Sequence, residues 1–227
     1  MKVLCVGLMV CDVLVKPVSA EVLKMDTCTA ESVDLKVGGD ACNVAVNLQG
    51  LGADATLLSA VGDDFYGKFI LDYLVQKGLD TDQILTRGRE TSRTAVLISE
   101  NGDRCFLSKK GACHQLSPED VTDAILENFD VLYIGSIGDL PQFDRGNLAG
   151  LLARAKRLGL ITALDVTGEV DEETLSRMEQ AFPYLDLFLP SIREAQNMTG
   201  CREPEDCLRA LADKKINTVC MKMGAKG

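Results

Sequence analysis

Short apolar runs rich in β-branched residues recur along the chain, at 3–10, 55–61, 94–99, 131–134, 160–166, 185–189 and 218–223. Several are nearly continuous rather than alternating, the pattern of strands covered on both faces. Between them, apolar positions fall at helical spacing. Val44, Ala45, Leu48 and Leu51 share one face of a helix predicted over 41–51, and Phe65, Phe69 and Tyr73 one face of a helix over 65–76. Ser117-Pro118-Glu119-Asp120 combines an N-cap, a proline at the first helical position and a capping-box acid, which predicts a helix running to Leu126. Further helices are predicted over 146–158, 172–181, 193–198 and 205–214.

From Ser117 onward helix and strand alternate, which implies right-handed crossovers and a parallel sheet with helices on both faces. The first half differs. Residues 94–99 and 104–108 flank the turn Glu100-Asn101-Gly102-Asp103 and read as a hairpin. Residues 13–37 are extended and mixed, with alternation at 33–37, so the two pieces are expected to pair into a small accessory sheet. No repeat, linker or low-complexity segment divides the chain. The pattern is one α/β domain with a β appendage.

Composition adds exclusions. There are 24 basic and 34 acidic residues, a formal charge of −10, with no Lys/Arg run longer than Lys109-Lys110 or Lys214-Lys215. Such a chain lacks the positive footprint that displaces counterions from phosphates, so neither a nucleic acid nor an anionic membrane is an expected partner. No apolar run approaches bilayer length. Residues 2–11 faintly resemble a signal peptide, but Asp12 interrupts the run and a buried first strand over 2–10 is the reading taken. The nine cysteines are scattered and without a C-x-x-C pair, as expected of small buried hydrophobes in a reducing, cytoplasmic compartment. The single histidine, His114, lies in a polar loop and is expected to be solvated.

In open parallel sheets ligands gather beyond the carboxyl ends of the strands. The residues placed there are Asp12, Gly62-Asp63-Asp64, Gly135-Ser136, Asp165, Pro190-Ser191 and Gly224-Ala225-Lys226-Gly227. Gly38-Gly39-Asp40-Ala41-Cys42-Asn43 joins an extended segment to a helix. Its glycines admit a ligand close to the backbone, its first helical turn offers unpaired N–H groups, and Asp40 and Asn43 stand near that turn. This suits a neutral polyhydroxylated ligand; equally, it is a Gly-Gly turn with an Asp cap. Neither a dinucleotide fingerprint nor a P-loop is present.

Taken together the motifs resemble the ribokinase-like (PfkB) carbohydrate kinases. Asp12, Gly38-Gly39-x-x-x-Asn43-x-Ala45, Leu51-Gly52-Ala53 and Val61-Gly62-Asp63-Asp64-Phe65-Tyr66-Gly67 resemble that family's N-terminal signature. Asn101-Gly102-Asp103-Arg104 resembles the turn of its lid hairpin. Leu189-Pro190-Ser191-Ile192-Arg193-Glu194 with Thr199-Gly200 is similar to its Pro-Asn-x-x-Glu…Thr-Gly stretch, and Lys222-Met223-Gly224-Ala225-Lys226-Gly227 to its nucleotide-contacting turn.

The resemblance implies a three-layer αβα sandwich with a mostly parallel sheet and a small β lid, formed by segments about 13–37 and 92–110 of one domain spanning 1–227. It implies ATP-dependent phosphorylation of a sugar hydroxyl. Asp12, Gly39, Asp40 and Asn43 would hold the sugar. Ser191, Lys222, Gly224 and Gly227 would face the nucleotide, and Glu194 would orient Mg²⁺ through water. Pairing of two copies through the lid is expected. Two departures stand out: Ser191 replaces the usual Asn, and the family's Gly-Ala-Gly-Asp loop, which carries the catalytic base, is expected beyond Gly227. A chain of these residues alone is therefore expected to be C-terminally truncated and inactive. A non-catalytic sugar-binding module and a nucleoside kinase remain as alternatives, although the lid segments offer a base ring only Phe106.

Overall fold

The computed structural model describes residues 1–168 and 170–227. The first half contains β1 (Lys2–Val6), β2 (Val10–Lys16), β3 (Ser32–Gly38), α1 (Asp40–Gly50), β4 (Asp54–Val61), α2 (Phe65–Gln76), β5 (Ile84–Thr86), β6 (Arg93–Ile98) and β7 (Arg104–Lys109). The second half contains α3 (Asp123–Leu126), β8 (Val131–Ile137), α4 (Pro141–Asp144), α5 (Leu148–Arg157), β9 (Ile161–Val166), α6 (Glu172–Ala181), β10 (Leu187–Phe188), α7 (Ile192–Thr199), α8 (Pro204–Ala212) and β11 (Thr218–Val219). Seven strands form one sheet in the order β11-β10-β9-β8-β1-β4-β5, every pairing parallel.

The continuous apolar runs arise because each strand feeds two cores. In β1, Leu4 and Val6 face a cluster completed by Leu151 and Leu152 of α5, Met178 of α6, Ala195 of α7 and Leu211 of α8. Val3 and Cys5 face the other side, against Ala41 and Ala45 of α1 and Ile70 and Leu74 of α2. Helices therefore cover both faces and the fold is a three-layer α/β sandwich. Among the described residues no helix is long and apolar enough to cross a membrane.

The remaining four strands form a second sheet, β3-β2-β6-β7, built from the segments expected to form the lid and called the lid below. Its register is continuous: Lys36, Asp12, Thr94 and Ser108 lie in one rank across the four strands.

Several sequence expectations need correction. The run over 2–10 is not one strand: Gly7 (φ +148°) turns the chain out of the main sheet, and β2 begins at Val10. Asp12 therefore lies inside a lid strand rather than after the first strand. The helix expected from Ser117 is a 3-10 turn over Pro118–Asp120 followed by the four-residue α3. Asp120 does accept from the Ser117 N–H at 2.8 Å, but it also pairs with Arg87, and the Val121 backbone leaves the helical region at ψ 84°, which ends the turn. Thr122 then caps α3. The last strand is two residues, with Lys222 returning only as an isolated parallel bridge to Ser191. β5 and α4, too short to show a period, were outside the reading.

Candidate functional site

Asp12 stands at the root of the lid. Its carboxylate occupies the space where a Gly38 side chain would begin, so a larger residue at 38 would have to displace it. Burial pushes the Asp12 carboxyl up to about 6. Gly39 follows with φ +95° and forms the N-cap of α1, where a side chain would run into the backbone of Leu8 and Met9. Asn43 closes the first turn through its N–H to the Gly39 carbonyl at 2.9 Å and leaves its side chain exposed.

The first-turn amides of α1, expected to be open, are in use. The Ala41 N–H donates to Asp40 Oδ1 at 2.7 Å and the Cys42 N–H to the Leu8 carbonyl at 3.4 Å. Asp40 is engaged on both oxygens. The Ser136 hydroxyl donates to Oδ1 in a very short contact, and the Thr167 hydroxyl donates to Oδ2 at 3.2 Å. Burial raises the Asp40 carboxyl, and these hydrogen bonds only partly offset it. Asp40 thus ties α1 to β8 and to the residue after β9. Ser136 makes this possible from a left-handed backbone (φ +65°) at an irregularity in the β8–β9 register, with no exposed surface. A buried non-glycine residue in that region is strained, and such strain is concentrated at functional sites.

The contacts continue along the carboxyl edge of the sheet. Lys222 Nζ lies 2.7 and 2.6 Å from the two oxygens of Asp165, two residues before Thr167. Burial raises the Asp165 carboxyl despite the Lys222 ammonium beside it. Ser191 caps α7: its hydroxyl accepts from the Glu194 N–H at 3.3 Å, and Glu194 Oε2 accepts from the Ser191 N–H at 2.7 Å. Serine at this position therefore completes a reciprocal capping box, which fixes Glu194. Gly224 (φ +60°) and Gly227 (φ +115°) flank an exposed 3-10 turn, where nothing lies within 4 Å of either α-carbon's open side.

Asp40 contacts Thr167 after β9, Lys222 contacts Asp165 of β9, and Ser191 bridges to Lys222; Asn43 lies one turn along α1 from Gly39, and Asp12 lies against Gly38. Sequence reasoning named Ser136 and Asp165 only as strand-end residues and missed Thr167. It also missed the lock of Asp64 on the lid root. Asp64 caps α2 through the Gly67 N–H (2.8 Å) and accepts from the N–H and hydroxyl of Thr91 (2.9 and 2.6 Å). Burial opposes ionisation of Asp64, but these bonds and nearby Arg93 outweigh it and hold the carboxyl below its usual range.

A hydrated Mg²⁺ needs only one or two protein carboxylates. Among the described residues no group of three or more His, Cys, Asp or Glu could cage a metal. The half-buried Glu194, fixed by one oxygen, fits a water-mediated role and not a cage.

Over residues 1–227 the chain matches the family model described as pfkB family carbohydrate kinase. Ribokinase of Haemophilus influenzae is 26% identical over 210 residues, covering 89% of this chain and 65% of that protein. Fructokinase of Vibrio alginolyticus is 27% identical over 198 residues, covering 84% of this chain and 64% of that protein. The chain thus spans less than two thirds of either relative. Among solved structures, a PfkB protein from Polaromonas sp. JS666 superposes with a TM-score of 0.80 at 19% identity, covering 100% of this chain and 77% of that one. A Halothermothrix orenii fructokinase superposes with a TM-score of 0.77 at 20% identity, covering 99% and 80%. These structural likenesses establish the fold.

Proposed function

The chain belongs to the pfkB family of carbohydrate kinases, and from that premise we propose that the intact protein transfers the γ-phosphoryl group of ATP to a sugar hydroxyl. One observation carries the reading: the half-buried Asp12 carboxylate lies against Gly38, two residues before Asp40, whose carboxylate is bonded to Ser136 and Thr167 at the carboxyl edge of the sheet. In this reading Asp12 and Asn43 hold the sugar hydroxyls against the close backbone of Gly38 and Gly39. Asp40 shapes the floor, because both its oxygens are already engaged. Ser191, Lys222, Gly224 and Gly227 face the nucleotide, and the flexible backbone at the two glycines admits a phosphate or ribose without a Cβ in the way. Glu194 holds a hydrated Mg²⁺, which when bound neutralises charge on the phosphates. The lid closes over the sugar and excludes the water that would compete for the phosphoryl group.

The expected result is ADP formation by the protein from the full reading frame only when Mg-ATP and a sugar are both present. D-ribose and D-fructose are the first sugars to try, since the relatives above are a ribokinase and a fructokinase. Binding of a sugar without turnover would favour the non-catalytic binding module, and sugar-independent ADP release would overturn the reading.

The lid also supports self-association. Leu23, Val33, Phe106 and Leu107 are exposed on it, and an apolar groove of about 410 Å³ runs between Val18, Val22, Leu97 and Leu107. Sedimentation equilibrium is expected to give a dimer that Leu107→Glu dissociates; a monomer at micromolar concentration would contradict this. The nine free cysteines support a reducing cytoplasm as its location.

A further inference from the structure

Among the described residues two buried rings carry a polar atom without a hydrogen-bond partner, His114 at Nε2 and Tyr133 at Oη. His114 is 11% exposed rather than solvated as the sequence suggested, and its Nδ1 accepts from the Gly111 N–H at 3.3 Å. Tyr133, in β8, is 4% exposed. Its neighbour across the sheet is Ala163 of β9, and Asp165, two residues on, shares that face. Asp40 lies on the same side: a Cβ on Gly135, two residues after Tyr133, would meet its carboxylate at 2.9 Å. Burial first, and then the nearby Asp40 and Asp165 carboxylates, raise the Tyr133 pKa. The hydroxyl therefore keeps its proton, a buried donor that nothing accepts.

The acceptor within its reach is taken. Lys222 Nζ lies 2.7 and 2.6 Å from the two Asp165 oxygens. The carboxylate is 13% exposed and the lysine side chain 48%. The Lys222 backbone is fixed independently of that pair. Its N–H donates to the Pro190 carbonyl at 2.8 Å, and its carbonyl accepts from the Ile192 N–H at 2.9 Å. The ammonium can therefore swing on its flexible four-carbon stem without moving the chain. Its departure alone would leave the Asp165 carboxylate largely buried and unpaired, with the Asp40 carboxylate nearby. That state is costly unless another donor replaces the lysine. Tyr133 Oη is such a donor, and its proton turns freely about the C–O bond.

We propose that Lys222 is a phosphate ligand parked on Asp165 in the nucleotide-free protein, and that Tyr133 is a positioning residue that takes over the Asp165 carboxylate when the ammonium moves to the nucleotide. The proposal rests on the reading of Lys222 as a nucleotide-facing residue. Nucleotide binding is then an exchange of partners. The lysine trades a carboxylate for a phosphate oxygen, Asp165 trades an ammonium for a hydroxyl, and the orphaned donor is satisfied only in the bound state.

Thermal melts, together with calorimetric titration of the intact protein with a non-hydrolysable Mg-ATP analogue, test this without turnover. Tyr133→Phe removes a donor that is unpaired in the free protein, so its nucleotide-free Tm is expected to be no lower than native. The same variant is expected to bind the analogue at least about tenfold more weakly, the lower end for losing a hydrogen bond to a charged group. Asp165→Asn releases Lys222 and is expected to bind it about two- to fivefold more tightly. In that background Tyr133→Phe should change affinity by less than about twofold, because no carboxylate remains to be taken over. Native affinity in Tyr133→Phe, weaker binding in Asp165→Asn, or a lower nucleotide-free Tm in Tyr133→Phe would each overturn the exchange while leaving the nucleotide site intact. Native affinity in Lys222→Met would overturn the nucleotide-facing reading itself, and the exchange with it.

Discussion

Replacing Gly39 by alanine is expected to remove about 3 kcal/mol or more of folding stability. Two costs add. At φ +95° an L-residue is strained by roughly 1–2 kcal/mol. The new methyl would also lie 2.7 Å from the Leu8 carbonyl carbon and 2.8 Å from Met9 Cα, both backbone atoms that cannot rotate aside. Forcing extra volume into such a place costs about 1–3 kcal/mol more. For a chain of this length each kcal/mol moves Tm by about 2–4 °C, so the melt should fall by roughly 6–12 °C. Gly52→Ala is the control. Its φ is similar, +84°, but nothing lies within 4 Å of the added carbon, so only the conformational cost should appear. Equal melts for the two variants would mean that Gly39 is not pinched between the lid root and α1.

Asp12→Ala is expected to weaken binding of the sugar that supports turnover by about 10- to 150-fold, the range for losing hydrogen bonds to a charged group. The same carboxylate predicts a pH dependence. Because burial holds its pKa at about 6, sugar affinity should fall as pH drops through 6 and the acceptor is protonated. Stability should move the other way. An acid whose folded pKa is raised above 3.8 loses stability as pH rises from 3.8 through 6, because the buried site disfavours its charge. Asp12→Asn should therefore bind sugar poorly yet be no less stable at pH 7 than the native protein. A residue kept for binding gives that pairing of effects; one kept for structure would lose stability on substitution.

The parts of the fold legible in the sequence were those in which burial dictates residue type. Strands buried on both faces must be continuously apolar, so β1, β4, β8 and β9 were visible and their parallel arrangement followed from the helices between them. Ser191 and Glu194 are expected from the sequence only in ligand chemistry; in the structure they form a capping box whose hydrogen bonds hold the start of α7. Departures from the reading occur where tertiary geometry overrides local pattern. The apolar run through Val10 conceals the turn at Gly7, because both the main sheet and the lid root demand apolar residues there. The role of Asp40 could not be read from the Gly-Gly motif, since its partners Ser136 and Thr167 are 96 and 127 residues away. His114 looked like loop chemistry because the acid opposite it, Asp139, comes from a different segment of the fold. Two-residue strands such as β10 and β11 carry no periodicity at all.

The central claim is that the lid-root acid and the first turn of α1 together grip the sugar. Calorimetric titration of the intact protein with that sugar, in the presence of a non-hydrolysable Mg-nucleotide, measures it directly in the native protein, Asp12→Ala and Asn43→Ala. A large loss of affinity is expected in both variants, with nucleotide binding unchanged. Native sugar affinity in either variant would contradict it.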